Sequence, residues 1–176
     1  ATVRIVKRDA FSAEFLNGAE FIICRDDVTT VGFDPAIDCA PAQQVGTVTT
    51  GTAGAGAAEL GGLVFGEYWV WESVPPVGYD VATPQYWPLS VTPTNDGELI
   101  TLPLTNEPAY GSITWNKRAL TADGALLGGA SFLIHRNDAP QSDITVVDNG
   151  ANDADPVAGQ FKVENVHVGN YQITET

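Results

Sequence analysis

An internal repeat is the feature of this sequence that most restricts its fold. Each half opens on an alternating apolar and polar stretch that closes with a lysine, continues through a Gly-Ala-x-Phe motif, and later carries a tyrosine and a glutamate at fixed spacing. The matching pairs are Val3–Lys7 with Ile113–Lys117, Leu16–Phe21 with Leu127–Phe132, and Gly66–Glu72 with Gly169–Glu175. A repeat of this kind predicts two tandem domains of one design.

The domain boundary is predicted near Pro108. Residues 1–108 form the first domain, and about a hundred residues is an ordinary size for a β-sandwich. Residues 109–176 form the second, and the sequence stops one residue after Glu175. The second half therefore has no counterpart of the segment that follows Glu72, and we expect it to lack the last strand or strands of the design.

Both halves are predicted to consist of short β-strands. Valine, isoleucine, threonine and aromatic residues alternate with polar ones, and long helical periodicity is absent. Turn pairs separate the stretches: Asn17-Gly18, Asp96-Gly97, Asp123-Gly124 and Asn149-Gly150. The predicted strands are Val3–Lys7, Phe21–Cys24, Val45–Thr49, Tyr68–Glu72, Leu99–Leu104, Ile113–Lys117, Phe132–His135, Ile144–Val147, Phe161–Val163 and Tyr171–Glu175. The fold class is all-β, with a sandwich as the natural architecture.

The glycine-rich stretch Gly51–Gly62 is interpreted as a flexible loop, or a short helical turn, that leads into a strand at Leu63. It lacks both the Gly-Lys-Ser/Thr ending and the GxGxxG spacing of phosphate-binding loops.

Charge and hydropathy exclude several partners. The 176 residues carry a net charge of −14 and only eight lysines and arginines, which are scattered, so neither nucleic acid nor an anionic membrane is an expected partner. No apolar run approaches the roughly 20 residues of a membrane-spanning helix. No signal peptide is recognisable, which is typical of a mature or excised piece. No metal site and no cofactor are predicted.

Two cysteines, Cys24 and Cys39, leave two interpretations open. A disulfide that closes a short loop would indicate an oxidising, extracellular setting. The alternative is two unpaired thiols buried in the core. No CxxC pair and no Cys/His cluster favours zinc.

The segment Tyr68–Tyr79 (YWVWESVPPVGY) resembles the E-box of Gram-positive pilins and Cna-B-type adhesin domains, whose pattern is YxLxETxAPxGY. Lys7 occupies the place of that family's strand lysine, and Asn106 the place of the asparagine at the end of its last strand. The departures from the pattern are Val70, Ser73 and Pro75. The resemblance covers almost the whole chain. It implies two tandem Ig-like or prealbumin-like (Cna-B-type, SpaA-like) β-sandwiches, the second truncated at its C-terminal end.

What the resemblance implies chemically is an intramolecular isopeptide bond between Lys7 and Asn106, assisted by Glu72. A lysine that faces the interior loses hydration, which favours the neutral, nucleophilic amine, and a carboxyl group buried among aromatic rings can stay protonated. Glu72 could then hydrogen-bond the side-chain carbonyl of Asn106, polarise it, and pass protons as ammonia leaves. The reaction turns over once, so the protein is not predicted to be an enzyme in the usual sense.

The competing interpretation is structural: Lys7 and Glu72 form an ordinary ion pair, and Asn106 caps a turn. The chain has three lysines, and two of them, Lys7 and Lys117, stand at equivalent positions in apolar strands. An unreacted buried ion pair is costly and needs good geometry to break even. This cost favours the isopeptide bond.

Lys117 and Glu175 repeat the pair in the second half, but no asparagine follows Glu175, so Lys117 is predicted to be unreacted within this chain. Three explanations stay open. The rest of the domain is disordered, proteolysed or outside the sequence; the missing strand comes from another polypeptide; or the chain is a split domain that captures a peptide through Lys117. In each case an unpaired strand edge would invite strand addition.

Three hypotheses of function follow. The first is a structural stalk of a Gram-positive pilin or wall-anchored adhesin, extracellular on the cell wall or fimbrium, whose partners are other domains of the same polypeptide or pilus. The second is an adhesin module that binds a host surface protein or glycan. Its candidate platform is formed by Trp69, Trp71, Trp87 and Trp115, although packing is the commoner role for such residues. The third is a regulatory or enzymatic β-sandwich of another family, in which Lys7 and Asn106 stay unlinked.

Overall fold

The computed structural model describes residues 1–26, 31–120, 124–137 and 142–176, and Asp123 of the predicted Asp123-Gly124 turn lies outside them. The chain divides into two compact units, Ala1–Pro108 and Ala109–Thr176. Nearly all of its regular structure is β-strand, so the predicted all-β class is confirmed.

The first unit is built from two sheets. Its elements in chain order are β1 (Thr2–Asp9), β2 (Glu20–Arg25), α1 (Pro35–Asp38), β3 (Gln44–Thr49), β4 (Ala57–Leu60), β5 (Gly66–Val74), β6 (Tyr86–Val91) and β7 (Leu99–Asn106). One sheet has the order β4-β1-β7, and the other has the order β3-β2-β5-β6. β1 runs antiparallel to β4 and parallel to β7, whereas every pair in the second sheet is antiparallel.

Strand periodicity decides which side chains enter the core of the first unit. Every second residue of β1 is buried, so Lys7 follows Val3 and Ile5 on the inward face. The same alternation in β5 buries Glu72 after Val70. The pattern that builds the apolar core therefore also directs a lysine and a glutamate into it.

The second unit has five strands within its described residues. They are β8 (Tyr110–Asn116), β9 (Ser131–Arg136), β10 (Ile144–Val147), β11 (Gln160–His167) and β12 (Tyr171–Glu175). β8 pairs with β11, and β9 lies between β10 and β12. Its buried core centres on Phe132 and Phe161, with Trp115 stacked on Phe161 at a ring-centroid distance of 5.0 Å.

The internal repeat is also a repeat of backbone pairing. The amide N–H of Lys7 donates to Gly56 O and that of Lys117 to Gly159 O, both at 2.8 Å. Phe21 pairs with Glu72 across β2 and β5, just as Phe132 pairs with Glu175 across β9 and β12. β8 and β11 thus correspond to β1 and β4. Among the described residues, however, no strand lies beside β8 as β7 lies beside β1, or beside β12 as β6 lies beside β5.

Two strands and the short helix α1 are not predicted by the sequence patterns. The interpretation of Gly51–Gly62 as a loop or helical turn is wrong for β4, which pairs with β1 because tertiary pairing overrides the helix preference of its alanines. β6 is not predicted because it contains Pro88, and proline cannot donate a hydrogen bond to a neighbouring strand. β6 tolerates this proline because it is the edge strand of its sheet.

Candidate functional site

Lys7 lies at the end of β1 that meets the end of β7, and its side chain is fully buried. Its Nζ is 3.0 Å from Glu72 Oε1 and donates a hydrogen bond of 3.0 Å to Thr105 O. The rings of Phe21 and Trp87 lie 5.5 and 5.4 Å from Nζ. Burial lowers the pKa of Lys7 below its usual value, although the neighbouring Glu72 carboxylate acts in the opposite direction. The site therefore favours the neutral amine more than water does.

Glu72 is also fully buried, and its two carboxylate oxygens face different partners. Oε1 approaches Lys7 Nζ without hydrogen-bond alignment. Oε2 accepts hydrogen bonds from the backbone N–H of Ala82 at 3.1 Å and from Asn106 Nδ2 at 3.0 Å. One carboxylate thus contacts the amine nitrogen of the lysine and the amide nitrogen of the asparagine.

Asn106 ends β7 and is 2% exposed. The parallel register places Leu104 opposite Lys7 and Asn106 opposite Asp9, so the asparagine lies one inward position beyond the lysine. Its Nδ2 donates to Glu72 Oε2 and to Asp80 O, the latter at 2.7 Å, while its Oδ1 is buried without a hydrogen-bond partner. The three residues chosen from the sequence are therefore brought together in one buried cluster.

One detail differs from the expected arrangement. Glu72 is predicted to hydrogen-bond the side-chain carbonyl of Asn106, but in the structure its Oε2 accepts a hydrogen bond from the amide nitrogen, Nδ2. The reason is the backbone of the segment 75–85: Asp80 O can only accept, so it selects the NH₂ end of the asparagine amide. The Ala82 N–H donates to Glu72 Oε2 and holds the carboxylate against the same segment.

Several groups of the site have no signal in the sequence pattern. Asp80 and Ala82 contact the site through backbone atoms, so the identity of their side chains does not indicate this role. Trp87 belongs to the unpredicted strand β6. Phe21 could have been found, since it is the phenylalanine of the repeated Gly-Ala-x-Phe motif and its ring lies against Lys7.

Cys24 and Cys39 form a disulfide, with a Cα–Cα distance of 5.2 Å. The predicted disulfide is therefore present, and the alternative of two free thiols is wrong. The bridge ties β2 to the end of α1, whose first turn is capped by the side chain of Asp34.

In the second unit, Lys117 and Glu175 also form an ion pair, as their repeat positions predict. This pair is open to solvent: the side chains are 30% and 47% exposed, whereas both members of the Lys7–Glu72 pair are fully buried. The difference coincides with the absence, among the described residues, of strands in the places of β6 and β7.

The tryptophans lie in different surroundings within their own units. Trp69 and Trp71 lie with Phe33 and Tyr86 in one aromatic cluster. Trp87 instead lies beside Phe21 and Lys7, and Trp115 is packed in the other unit. Trp87 pairs with the inward residue Val70, whereas Trp69 and Trp71 alternate with the buried residues of β5, so these three do not form one platform.

The family model of the SpaA prealbumin-like fold domain matches residues 1–108, and the chain belongs to that family. No curated protein matches the sequence. In the described part of the chain, no helix has the length and apolar character needed to cross a lipid bilayer.

Solved pilin structures are similar in fold. The streptococcal ancillary pilin shares 22% identity over 99% of this chain and 53% of its own, with a TM-score of 0.49. The shaft pilin SpaA of Lactobacillus rhamnosus GG shares 14% identity over 100% of this chain and 86% of its own, with a TM-score of 0.50. The full-length major pilin SpaD of Corynebacterium diphtheriae shares 16% identity over 99% and 63%, with a TM-score of 0.50. The chain thus spans about half the length of the streptococcal protein, and at these identities the likeness concerns the fold alone.

Proposed function

We propose that residues 1–108 form a covalently stapled structural module of a Gram-positive pilin or wall-anchored adhesin, in which Lys7 and Asn106 join through an isopeptide bond with the help of Glu72. The observation that carries the proposal is the bridging carboxylate: Glu72 lies 3.0 Å from Lys7 Nζ through one oxygen and 3.0 Å from Asn106 Nδ2 through the other. Attacking nitrogen and leaving nitrogen thus share one buried acid/base group.

The proposed reaction needs no outside reagent. Lys7 first loses its ammonium proton to solvent, and the neutral amine attacks Cγ of Asn106. The bond between Nζ and Cγ forms, the bond between Cγ and Nδ2 breaks, and Glu72 takes one proton from Nζ and delivers it to Nδ2. The products are a secondary amide and one ammonia. Asp80, Ala82, Thr105 and Asn106 line a cleft, and in this proposal the ammonia would leave through it.

Placement of the reacting groups supplies much of the rate enhancement. Amide exchange between free molecules is very slow, whereas groups held in contact gain the advantage of an intramolecular reaction. The aromatic rings of Phe21 and Trp87 exclude water around Nζ, which keeps the amine nucleophilic. Because the bond forms once and is not released, this chemistry makes a staple, and the module is structural rather than enzymatic.

The staple would join β1 to β7 and close nearly the whole first unit into one covalent loop. By analogy with a disulfide across about 100 residues, it would stabilise the unit by about 5 kcal/mol. Tension applied at the two ends of the unit would meet a covalent link instead of a ladder of hydrogen bonds, which slows unfolding. Both properties suit an extracellular stalk, as does the Cys24–Cys39 disulfide.

Intact mass under denaturing and reducing conditions tests the proposal. We expect a mass one ammonia below the calculated value, and digestion should yield a cross-linked peptide that contains Lys7 and Asn106. The full calculated mass would support the simple ion pair of Lys7 with Glu72. Loss of two ammonias would mean that Lys117 had also reacted, against our expectation.

A second candidate function is capture of a β-strand by the second unit, and its open ion pair favours it. Lys117 is 30% exposed, and among the described residues the outer edge of β8 carries no partner strand. A synthetic peptide with the sequence of Leu99–Asn106 tests this idea, because in the first unit that strand runs parallel to the equivalent edge. Capture predicts an adduct whose mass is the sum of chain and peptide less one ammonia. The same peptide with alanine in place of its asparagine is the control, and absence of an adduct at Lys117 would refute capture of this strand.

A further inference from the structure

The segment between β5 and β6, residues 75–85, contributes two backbone groups to the buried site. Asp80 O accepts a hydrogen bond of 2.7 Å from Asn106 Nδ2, and the N–H of Ala82 donates one of 3.1 Å to Glu72 Oε2. The Asp80 contact decides which end of the asparagine amide faces Glu72, because a carbonyl oxygen can only accept. The Ala82 contact holds the Glu72 carboxylate against the same segment. The position of this segment therefore controls the orientation of the amide that is proposed to react.

Tyr79, directly before Asp80, ties the segment to β1. Its hydroxyl donates a hydrogen bond of 2.9 Å to Asp9 Oδ2, and its backbone forms an isolated antiparallel bridge with Pro108. The next amide, Asp80 N–H, donates to Glu107 O at 2.9 Å. Side chain and backbone thus hold the same point of the segment from two directions.

Asp9 is a well-anchored acceptor for this hydroxyl. It is 7% exposed, and its Oδ1 accepts hydrogen bonds of 2.7 Å from the backbone N–H groups of Phe11 and Ser12. Burial opposes its ionisation, but these N–H groups and the Tyr79 hydroxyl outweigh burial and lower the pKa of Asp9. The carboxylate lies on the inward face of β1, two residues after Lys7 and opposite Asn106.

We propose that Asp9 and Tyr79 are positioning residues for the bond between Lys7 and Asn106. The hydrogen bond between them fixes residues 79–82 on the end of β1, so that the Asp80 carbonyl turns the amide nitrogen of Asn106 toward Glu72. Their role is to position other groups: Asp9 and Tyr79 act on the reacting atoms through the Asp80 carbonyl. The inference rests on the proposed isopeptide chemistry and adds two residues to it.

The test compares two tyrosine hydroxyls. Tyr79→Phe removes the hydroxyl that reaches Asp9, and Tyr68→Phe removes one that donates to Val64 O at 2.8 Å in the same unit. Unreacted chains are folded, and ammonia loss is followed by mass. We expect Tyr79→Phe to slow the reaction about tenfold or more, because small misplacement of reacting groups is costly. Tyr68→Phe should stay within about twofold of the parent, since it loses one hydrogen bond but no contact with the segment.

The reaction rate of a double variant tests whether Asp9 and Tyr79 act together. If Asp9 and Tyr79 act as a unit, Asp9→Asn combined with Tyr79→Phe should be no slower than the slower single variant, because contacting residues are not additive. Additive slowing would mean that they act separately and would overturn the proposal.

The positioning role of Asp9 and Tyr79 can also be tested in a protein that cannot form the isopeptide bond. In a Lys7→Met background, which cannot form the bond, hydrogen exchange of the Asn106 side-chain amide is followed by NMR. We expect Tyr79→Phe to speed this exchange about tenfold, since the Asp80 contact loosens, and Tyr68→Phe to leave it unchanged. If the parent chain loses no ammonia, the proposed function fails, while this exchange still decides the positioning role. Equal exchange in the two tyrosine variants would overturn it.

Discussion

Asn106 lies opposite Asp9 rather than opposite Lys7 in the parallel pairing of β1 with β7. Successive inward positions on a strand are about 7 Å apart, so a side chain at position 7 must lean along the strand to meet position 106. Lysine has the length to do so, and its Nζ reaches the backbone carbonyl of Thr105, the neighbour of Asn106. The register therefore requires a long, flexible amine at the end of β1.

Replacing the shared carboxylate should prevent the reaction without removing the side chain. Glu72→Gln keeps the shape but loses the proton acceptor, so we expect the full calculated mass and an unlinked first unit. Its free energy of unfolding should fall by up to about 5 kcal/mol, the value estimated for closing a loop of this length. Chemical denaturation followed by intact mass measures both effects.

Glu67→Gln is the matched control for that variant. Glu67 lies on the same strand but is exposed, and its carboxylate accepts from Ser90 Oγ at the surface. We expect this variant to lose ammonia like the parent and to change stability by less than about 0.5 kcal/mol. A Glu72→Gln protein that still lost one ammonia would show that the carboxylate is dispensable.

Bond formation should speed up as pH rises. Only the neutral amine attacks, and burial lowers the pKa of Lys7, so the rate should increase toward the folded-state pKa and level off below 10.5, the ordinary lysine value. Between the folded-state pKa of Lys7 and its ordinary value, the unfolded chain holds the Lys7 proton more tightly than the folded chain does. Hence the stability of an unlinked variant such as Asn106→Ala should also rise with pH.

Mass measured over time after folding at a series of pH values tests this dependence. Unreacted chains prepared under denaturing conditions provide the starting point. A rate that falls with pH over that window would contradict attack by the lysine amine.

Removing the disulfide should weaken the first unit without blocking its chemistry. The bridge closes a segment of 15 residues, and a loop of that size is associated with about 3 kcal/mol. Phe33, inside this loop, packs on Trp69 and Tyr86, whereas Lys7 packs on Phe21 and Trp87. We therefore expect Cys24→Ser with Cys39→Ser to lower the denaturation midpoint and change tryptophan fluorescence while ammonia loss continues. If the double variant folded but lost no ammonia, bond formation at Lys7 would depend on the disulfide-closed loop, contrary to this prediction.

The cluster of Lys7, Glu72 and Asn106 could be predicted from the sequence because its members are side chains at regular strand positions. Alternation in β1 and β5 makes Lys7 and Glu72 inward residues, and the motif order places Asn106 at the end of the last strand. The orientation of the Asn106 amide could not be predicted from the sequence, since the backbone carbonyl of Asp80 sets it.

The missed strands have a similar physical cause. β4 is a strand because it pairs with β1, although its alanines do not favour strands. β6 is a strand because it pairs with β5, although it contains Pro88. Local patterns therefore find strands that carry a strong alternation and miss those that tertiary pairing imposes.

Amine labelling should separate the chain's three lysines. The Lys7 side chain is fully buried, whereas those of Lys117 and Lys162 are 30% and 39% exposed. The unlinked Asn106→Ala variant leaves all three amines free of an isopeptide bond. We expect acetylation of folded protein to modify Lys117 and Lys162 and to spare Lys7 until the protein unfolds. Lys162 is the internal control because it is also exposed and also pairs with a glutamate, Glu164, so Lys117 should react at a comparable rate. Peptide mapping gives the three rates, and protection of Lys117 equal to that of Lys7 would show that its edge is already covered.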